Sequence, residues 1–261
     1  RPANSSTPRA GRPENTVSRH VSRHRIHIPE IPGAGEVEVA GPEAHHALRV
    51  KRLRPGDEIE LLDGRGGVGE GVMTDFTRRG REFVLVCSVR EVHRRERPRP
   101  ALHVLAAAPK GPRLGEMIAG LSQVGAASWS ALISARTVVE PGDKRLDRLR
   151  AVAVESLKQC GRPWLMDLRP PVAFADALAR GPLIAAHADA PPYTHTPGDD
   201  LTLMVGPEGG WTREELAALG EAGASVASFG MHTMRTETAA VVCAGVVLHL
   251  ARVSERNTLG P

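Results

Sequence analysis

The chain has 261 residues, more than one small domain uses, so a small domain followed by a larger one is the starting expectation. Hydrophobic residues make up 41% and aromatics only 3%, which leaves packing to Leu, Val and Ala and argues against a base-stacking surface rich in Phe or Tyr. A net charge of +4, a pI near 9.3 and the predominance of Arg over Lys favour a polyanionic partner, while Cys87, Cys160 and Cys243 lie too far apart to suggest a zinc site or a disulfide framework.

Residues 1–24 are rich in Ser, Pro and Arg and nearly devoid of apolar side chains, which predicts a disordered basic leader, a solvated tail unless it touches RNA. From 25 to 92 the pattern is short and β-like, with EVEVAG, DEIELLDG, GVGEGVMTDF and REFVLVCSV separated by glycine turns, as in a small barrel. One amphipathic stretch, Pro42 to Leu53, interrupts it and carries Arg49, Lys51 and Arg52, either a phosphate-binding face or a solvated one. Arg and Pro crowd 93–100 as in a linker. Beyond it, from 101 to 255, apolar runs (LHVLAAA, WSALIS, WLMDL, PLIAAH, LTLMV, SVASF) alternate with helical patterns, which predicts an α/β domain with a mostly parallel sheet and ligands at the strands' carboxyl ends. The longest apolar stretch, 239–251, contains His249 and is shorter than a bilayer span, so it reads as a buried core helix. The start lacks a signal-peptide core, and a cytoplasmic protein with no membrane role is expected.

Gly64, Gly66 and Gly69 spell GxGxxG, but the residues that follow have strand character rather than helical character, so a hairpin turn is predicted and nicotinamide chemistry drops out. Two other loops are more informative. In LTLMVGPEGGWTREEL a strand runs into Gly206-Pro207-Glu208-Gly209-Gly210, and Thr212 with Glu215 predicts a capping box that starts a helix. The glycines allow the backbone to approach an uncharged ligand closely, or they make a generic turn. After SVASF comes FGMHTMRTETA, in which Arg235 and Glu237 open an apolar helix. They face a cleft, or they form a salt bridge with Thr236 or Thr238 as cap. Two such loops are expected to sit side by side. His45 and His46 lack Cys or carboxylate partners, so no metal site is assigned.

Taken together, VGPEGG and MRTETA resemble the RsmE-type 16S ribosomal RNA uridine-N3 methyltransferases of the SPOUT superfamily. The resemblance runs from about Arg25 onward, through HHALRVKRLRPGD, Lys110-Gly111 and Gln159-Cys160-Gly161-Arg162. The chain departs from the family pattern at Lys158, at AGLSQVG (119–125) and at FGMHT with Met234. The resemblance implies a PUA-like β-barrel followed by a SPOUT domain with a trefoil knot, acting as a homodimer on 16S rRNA or the small ribosomal subunit rather than on DNA. S-adenosyl-L-methionine is then expected against Gly206, Glu208, Gly209, Gly210, Phe229, Gly230, Met231, Met234 and Arg235, with Ala186 and His187 in a third loop. Methylating uracil N3 requires loss of its proton, so Arg235 is assigned to stabilise the resulting charge and Glu237 to take the proton, with Glu208 or His232 as alternatives. Arg49, Lys51, Arg52, Lys110, Arg136 and Arg162 are the candidate RNA contacts. A methyltransferase acting on another RNA base or a ribose 2′-hydroxyl, and a non-catalytic RNA-binding assembly factor, are the competing readings.

Overall fold

The computed structural model describes residues 23–258, so the expected leader lies outside the described residues except for its last two. The first unit contains strands β1 (His24–His27), β2 (Gly35–Ala40), β3 (Glu58–Leu62), β4 (Gly67–Arg79) and β5 (Glu82–Arg94), with helix α1 (Gly41–Arg49) after β2. Its sheet runs β1-β3-β4-β5-β2, antiparallel except for the parallel β1–β3 pair. Alternation sets its inside: Val37 and Val39 of β2 point inward with Ile59, Leu61, Met73 and Leu85, and Ala44 and Ala47 of α1 close one end. Register shifts at Glu70/Gly71 and Met73/Asp75 curl the long β4. At Gly71 a Cβ would lie on the Ser88 carbonyl, which explains the glycine there. The GxGxxG stretch is the β3–β4 turn, with Gly64 and Gly66 at positive φ.

The amphipathic stretch expected over Pro42 to Leu53 ends early as a helix, at Arg49. Arg52 takes a left-handed φ of 57°, and the Leu53 amide donates back to the Ala47 carbonyl. This turn carries Leu53 into the core of the first unit, a burial that contributes on the order of 2 kcal/mol.

The second unit follows the predicted alternation. Its strands are β6 (Ala101–Ala106), β7 (Ser128–Ile133), β8 (Asp167–Leu168), β9 (Val172–Ala173), β10 (Leu183–Ala186), β11 (Asp200–Val205) and β12 (Ser225–Ala227). Its helices are α2 (Arg113–Val124), α3 (Asp143–Cys160), α4 (Phe174–Ala177), α5 (Arg213–Glu221) and α6 (Thr236–Thr258). The sheet is parallel, in the order β12-β10-β11-β6-β7-β8 with β9 on β7. Both faces are covered, and alternate residues of one strand serve different cores. Leu102, Val104 and Ala106 pack with α2, α3 and α6, whereas Leu105 packs with Trp211 and Leu219 on the α4–α5 side.

Helix α6 is longer than the apolar run suggested, and Thr236–Ser254 has the length and composition to cross a membrane. In the fold it buries one face only, placing Ala240, Cys243, Ala244 and Val247 in the sheet-and-helix core. The other face leaves Val242 and Val253 exposed.

The two units meet at the end of α3. The Lys158 ammonium, with its side chain only 2% exposed, lies 2.7 Å from Glu43 of α1 and 2.7 Å from Glu155. Arg25 pairs with Glu60 and donates to the carbonyls of Lys158 and Gln159. Leu62, Val68 and Leu157 form a small apolar cluster beneath them.

Candidate active site

The parallel sheet directs the ends of β10, β11 and β12 to one edge, and the loops that follow them enclose a cavity of about 280 Å³. The β11 loop is held by capping and bracing. Thr212 Oγ1 accepts from the Glu215 amide at 3.1 Å, and Glu215 accepts in return from the Thr212 amide at 2.8 Å, the predicted capping box. The other oxygen of Glu215 accepts from Ala135 N at 2.8 Å, tying the helix start to the loop after β7. Within the loop, Gly210 N donates to the Pro207 carbonyl at 2.8 Å with Gly210 at φ +66°. A Cβ on Gly206 would lie 3.2 Å from the Trp211 ring, so glycine lets this backbone lie flat on the indole.

The three loops are joined to one another. Trp211 Nε1 donates to the Ala186 carbonyl at 2.9 Å, and His187 N donates to Ala227 O at 2.9 Å. Phe229 stacks on Tyr193 with centroids 4.9 Å apart and planes 22° from parallel. Thr236 at the start of α6 donates to Gly206 O at 3.4 Å, rather than capping its own helix through its hydroxyl. Ala239 and Cys243 of α6 form part of the wall. Burial pushes the Cys243 thiol up to about 12, so it lines the cavity as a neutral group.

Of the expected cofactor residues, Ala186, His187, Gly206, Glu208, Gly209, Gly210, Phe229, Gly230 and Met234 line this cavity. Met231 does not; it is 92% exposed. Arg235 is likewise exposed and outside the lining, at the lip where α6 begins. Glu237 does not pair with Arg235. One carboxylate oxygen lies 3.7 Å from Arg113 Nε, and the other is buried without a hydrogen-bond partner. The strands that carry the two signature loops are not neighbours, because β10 lies between β11 and β12 and contributes the third loop, although the loops themselves touch where Thr236 meets Gly206. Chain order cannot show that insertion. Trp211 and Cys243 were not anticipated, and Thr236 was expected only as a cap. Trp211 directly follows the glycine loop, and that adjacency is the local signal that could have found it.

The proposed RNA cations separate into two groups. Arg49, Arg52 and Lys110 are exposed. Arg162 is spent inside the protein, donating to Ser122 O at 2.7 Å and Ala126 O at 3.0 Å at the end of α2, and burial lowers its pKa. Arg136 braces the cavity loop by donating to the carbonyls of Gly209 and Trp211. Lys51 donates to Arg25 O at 3.0 Å and is half buried; burial first, then the charge of Lys158, lower its pKa. Composition also concealed an aromatic pair: Phe76, 47% exposed, and Phe83 border a cavity on the first unit with Arg49, Arg52 and Arg54. The Arg49 guanidinium lies 5.1 Å from the Phe83 ring centroid.

Residues 95–248 match a family model described as an RNA methyltransferase domain, and residues 39–82 match one described as an RNA methyltransferase PUA domain. The chain is 32% identical over 245 residues to the ribosomal RNA small subunit methyltransferase E of Mycobacterium tuberculosis, covering 85% of this chain and 90% of that protein. It is 28% identical over 243 residues to the protein of the same name from Synechocystis, covering 88% and 78%. The crystal structure of a ribosomal RNA small subunit methyltransferase E from Neisseria gonorrhoeae bound to S-adenosyl methionine superposes with a TM-score of 0.75 at 25% identity, covering 86% and 96%.

Proposed function

The chain belongs to the RNA methyltransferase family that includes the ribosomal RNA small subunit methyltransferases E, and we propose that it methylates N3 of a uridine in 16S rRNA using S-adenosylmethionine. The observation that carries this reading is the convergence of both signature loops and the β10 loop on one cavity, with Arg235 at its lip.

The cavity fits the cofactor. Its walls are glycine backbone and apolar side chains such as Val205, Trp211, Met234 and Ala239, which suit an adenine and ribose. Glu208 is the only carboxylate in the lining, and it faces a ligand that carries a positive sulfonium. When bound, S-adenosylmethionine supplies an electrophilic methyl group. The 206–210 and 229–234 segments hold it, with Ala186 and His187 beside them. Trp211 and Arg136 keep the first of these segments in shape. Arg235, solvent-facing at the lip, steadies negative charge on the uracil carbonyl oxygens as N3 loses its proton. Glu237, with one buried oxygen free of partners, is the acceptor we assign to that proton. Because N3 is on the pairing edge, the target uridine must leave its helix first.

Arg49 and Arg52 on the barrel and Lys110 beside the sheet edge are the assigned backbone contacts. The strand order β12-β10-β11, with α6 returning beneath β6 and β11, supports the C-terminal trefoil knot. The exposed Val242 and Val253 on the outer side of α6 support pairing of two copies through that helix. Action in the cytoplasm follows from the small-subunit RNA substrate.

The test is to incubate the purified protein with labelled S-adenosylmethionine and small-subunit particles lacking the modification, then digest the RNA to nucleosides. Label in 3-methyluridine is expected. Label in a 2′-O-methyl nucleoside or another base would reassign the substrate atom, and no S-adenosylmethionine binding by calorimetry would leave only an RNA-binding role.

A further inference from the structure

We propose that the cleft between the first turns of α2 and α3 is a second RNA contact, a track for backbone phosphates beside the nucleotide being modified; this rests on the reading that the chain acts on RNA. The cleft measures about 610 Å³ and is walled by Gly111, Pro112 and Leu114 on the α2 side and by Lys144, Arg145 and Arg148 on the α3 side. It has three cations and no carboxylate in its lining. The nearby acids are turned to other work or to solvent: Asp147 pairs with Arg150 at 2.6 Å, and Asp143 and Glu116 are exposed outside the lining.

Lys144 and Arg148 are exposed and make no ion pair among the described residues. They are four residues apart on α3 and therefore stand one above the other on a single face, two charges in a row rather than one enclosed point. Arg145 donates to Gly111 O at 3.2 Å, which fixes its guanidinium across the cleft. The positive ends of the two helix dipoles add to this field, because neither Pro112 nor Gly142 provides a side-chain cap. An open groove with cations in a row suits a polyanion strand better than a single small anion, which an enclosed nest would hold.

The position connects it to the chemistry. Helices α2 and α3 follow the parallel strands β6 and β7, so both start at the sheet edge that carries the cofactor cavity. Arg113, in the same turn of α2, reaches Glu237 at 3.7 Å in the first turn of α6, which Arg235 immediately precedes. A strand laid along the cleft is therefore led toward the lip from the catalytic domain, independently of the barrel.

The experiment measures binding of a labelled single-stranded oligouridylate to the full chain by anisotropy across a salt series. Lys144→Gln/Arg148→Gln is expected to weaken binding roughly tenfold near physiological salt and to flatten the log–log salt slope by about 1.4, at ~0.7 per phosphate contact on a single strand. S-adenosylmethionine affinity, read by calorimetry, stays at the wild-type value, and the KM for small-subunit RNA rises. Lys144→Arg/Arg148→Lys restores binding. Wild-type affinity and slope in the neutral variant, alongside weakened binding by Arg49→Gln/Arg52→Gln, would overturn the cleft while leaving the RNA reading intact. Equal loss in the charge-conserving variant would show a structural role and also overturn it. An unaltered protein that neither binds nor methylates RNA would remove both.

Discussion

Arg235 and Glu237 are two residues apart in sequence but occupy opposite situations, one solvent-facing and the other largely buried beside Arg113. Replacing Arg235 with Ala should therefore lower methyl transfer by about 10²–10³ in single-turnover assays, the usual loss when one charge-stabilising donor is removed, while calorimetric S-adenosylmethionine affinity stays within about twofold. Near-normal turnover would remove Arg235 from the mechanism. The cysteines allow a second test at this scale. Burial raises Cys87 to about 11 and Cys243 to about 12, whereas Cys160 is exposed. At pH 8 their thiolate fractions are then on the order of 10⁻³ and 10⁻⁴, so iodoacetamide should label Cys160 alone in the folded protein and all three in denaturant, as counted by mass spectrometry. Double or triple labelling of the native chain would contradict the buried assignments. Charge type was legible in the sequence, but charge employment was not. Arg162, Arg136 and Lys51 read as RNA contacts because the carbonyls that engage them lie 26 to 75 residues away in the chain.

Elements were easier to read when their signals were local. The capping box at Thr212 and the turn at Gly64–Gly66 depend on residues a few positions apart, and both formed as predicted. Thr212→Ala should cost about 1 kcal/mol in urea unfolding, as loss of an N-cap does, and also loosen the loop before it. The junction between α3 and α1 was invisible, because Lys158 and Glu43 are 115 residues apart. Burial pulls the Lys158 pKa down, but hydrogen bonds from its ammonium to Glu155 and Glu43, together with their charges, outweigh this and raise it overall. A lysine raised in the folded state contributes fully below its unfolded pKa and loses that contribution only as pH rises through the higher folded value, so near neutrality the pair is at full strength. The desolvation cost falls on the ammonium, since Glu155 is 59% exposed and Glu43 24%. Removing both acidic partners as Glu43→Gln/Glu155→Gln should therefore destabilise by about 3 kcal/mol, whereas Lys158→Met, which removes the buried charge itself, should cost less than about 1.5 kcal/mol. The reverse ranking in urea midpoints would mean that the ammonium is better hydrated than its burial indicates.

At the scale of the whole molecule, the order of elements along the chain was legible from apolar runs alternating with helical periodicity, but the order of strands across the sheet was not. Strand β10 enters between β11 and β12 because parallel pairing is decided by crossovers that leave no local pattern, and that insertion turns two loops into a three-sided cavity. The cavity is also coupled to the larger core. Helix α6 presents Ala239 and Cys243 to the pocket and Ala240, Ala244 and Val247 to the sheet, so a ligand that fixes the pocket fixes the helix that closes the core. S-adenosylmethionine at about 100 times its Kd should then add about 2.7 kcal/mol to the folded state, which for a chain of this size raises Tm by roughly 5–10 °C in a thermal melt. Gly206→Val gives a specific control, because the side chain would begin 3.2 Å from the Trp211 ring and project where the backbone must stay flush. That variant should lose the ligand-induced rise, whereas Lys144→Gln/Arg148→Gln, altered only in an open cleft on the α2–α3 side, should keep it. A rise that survives Gly206→Val would put the cofactor somewhere other than the three-loop cavity.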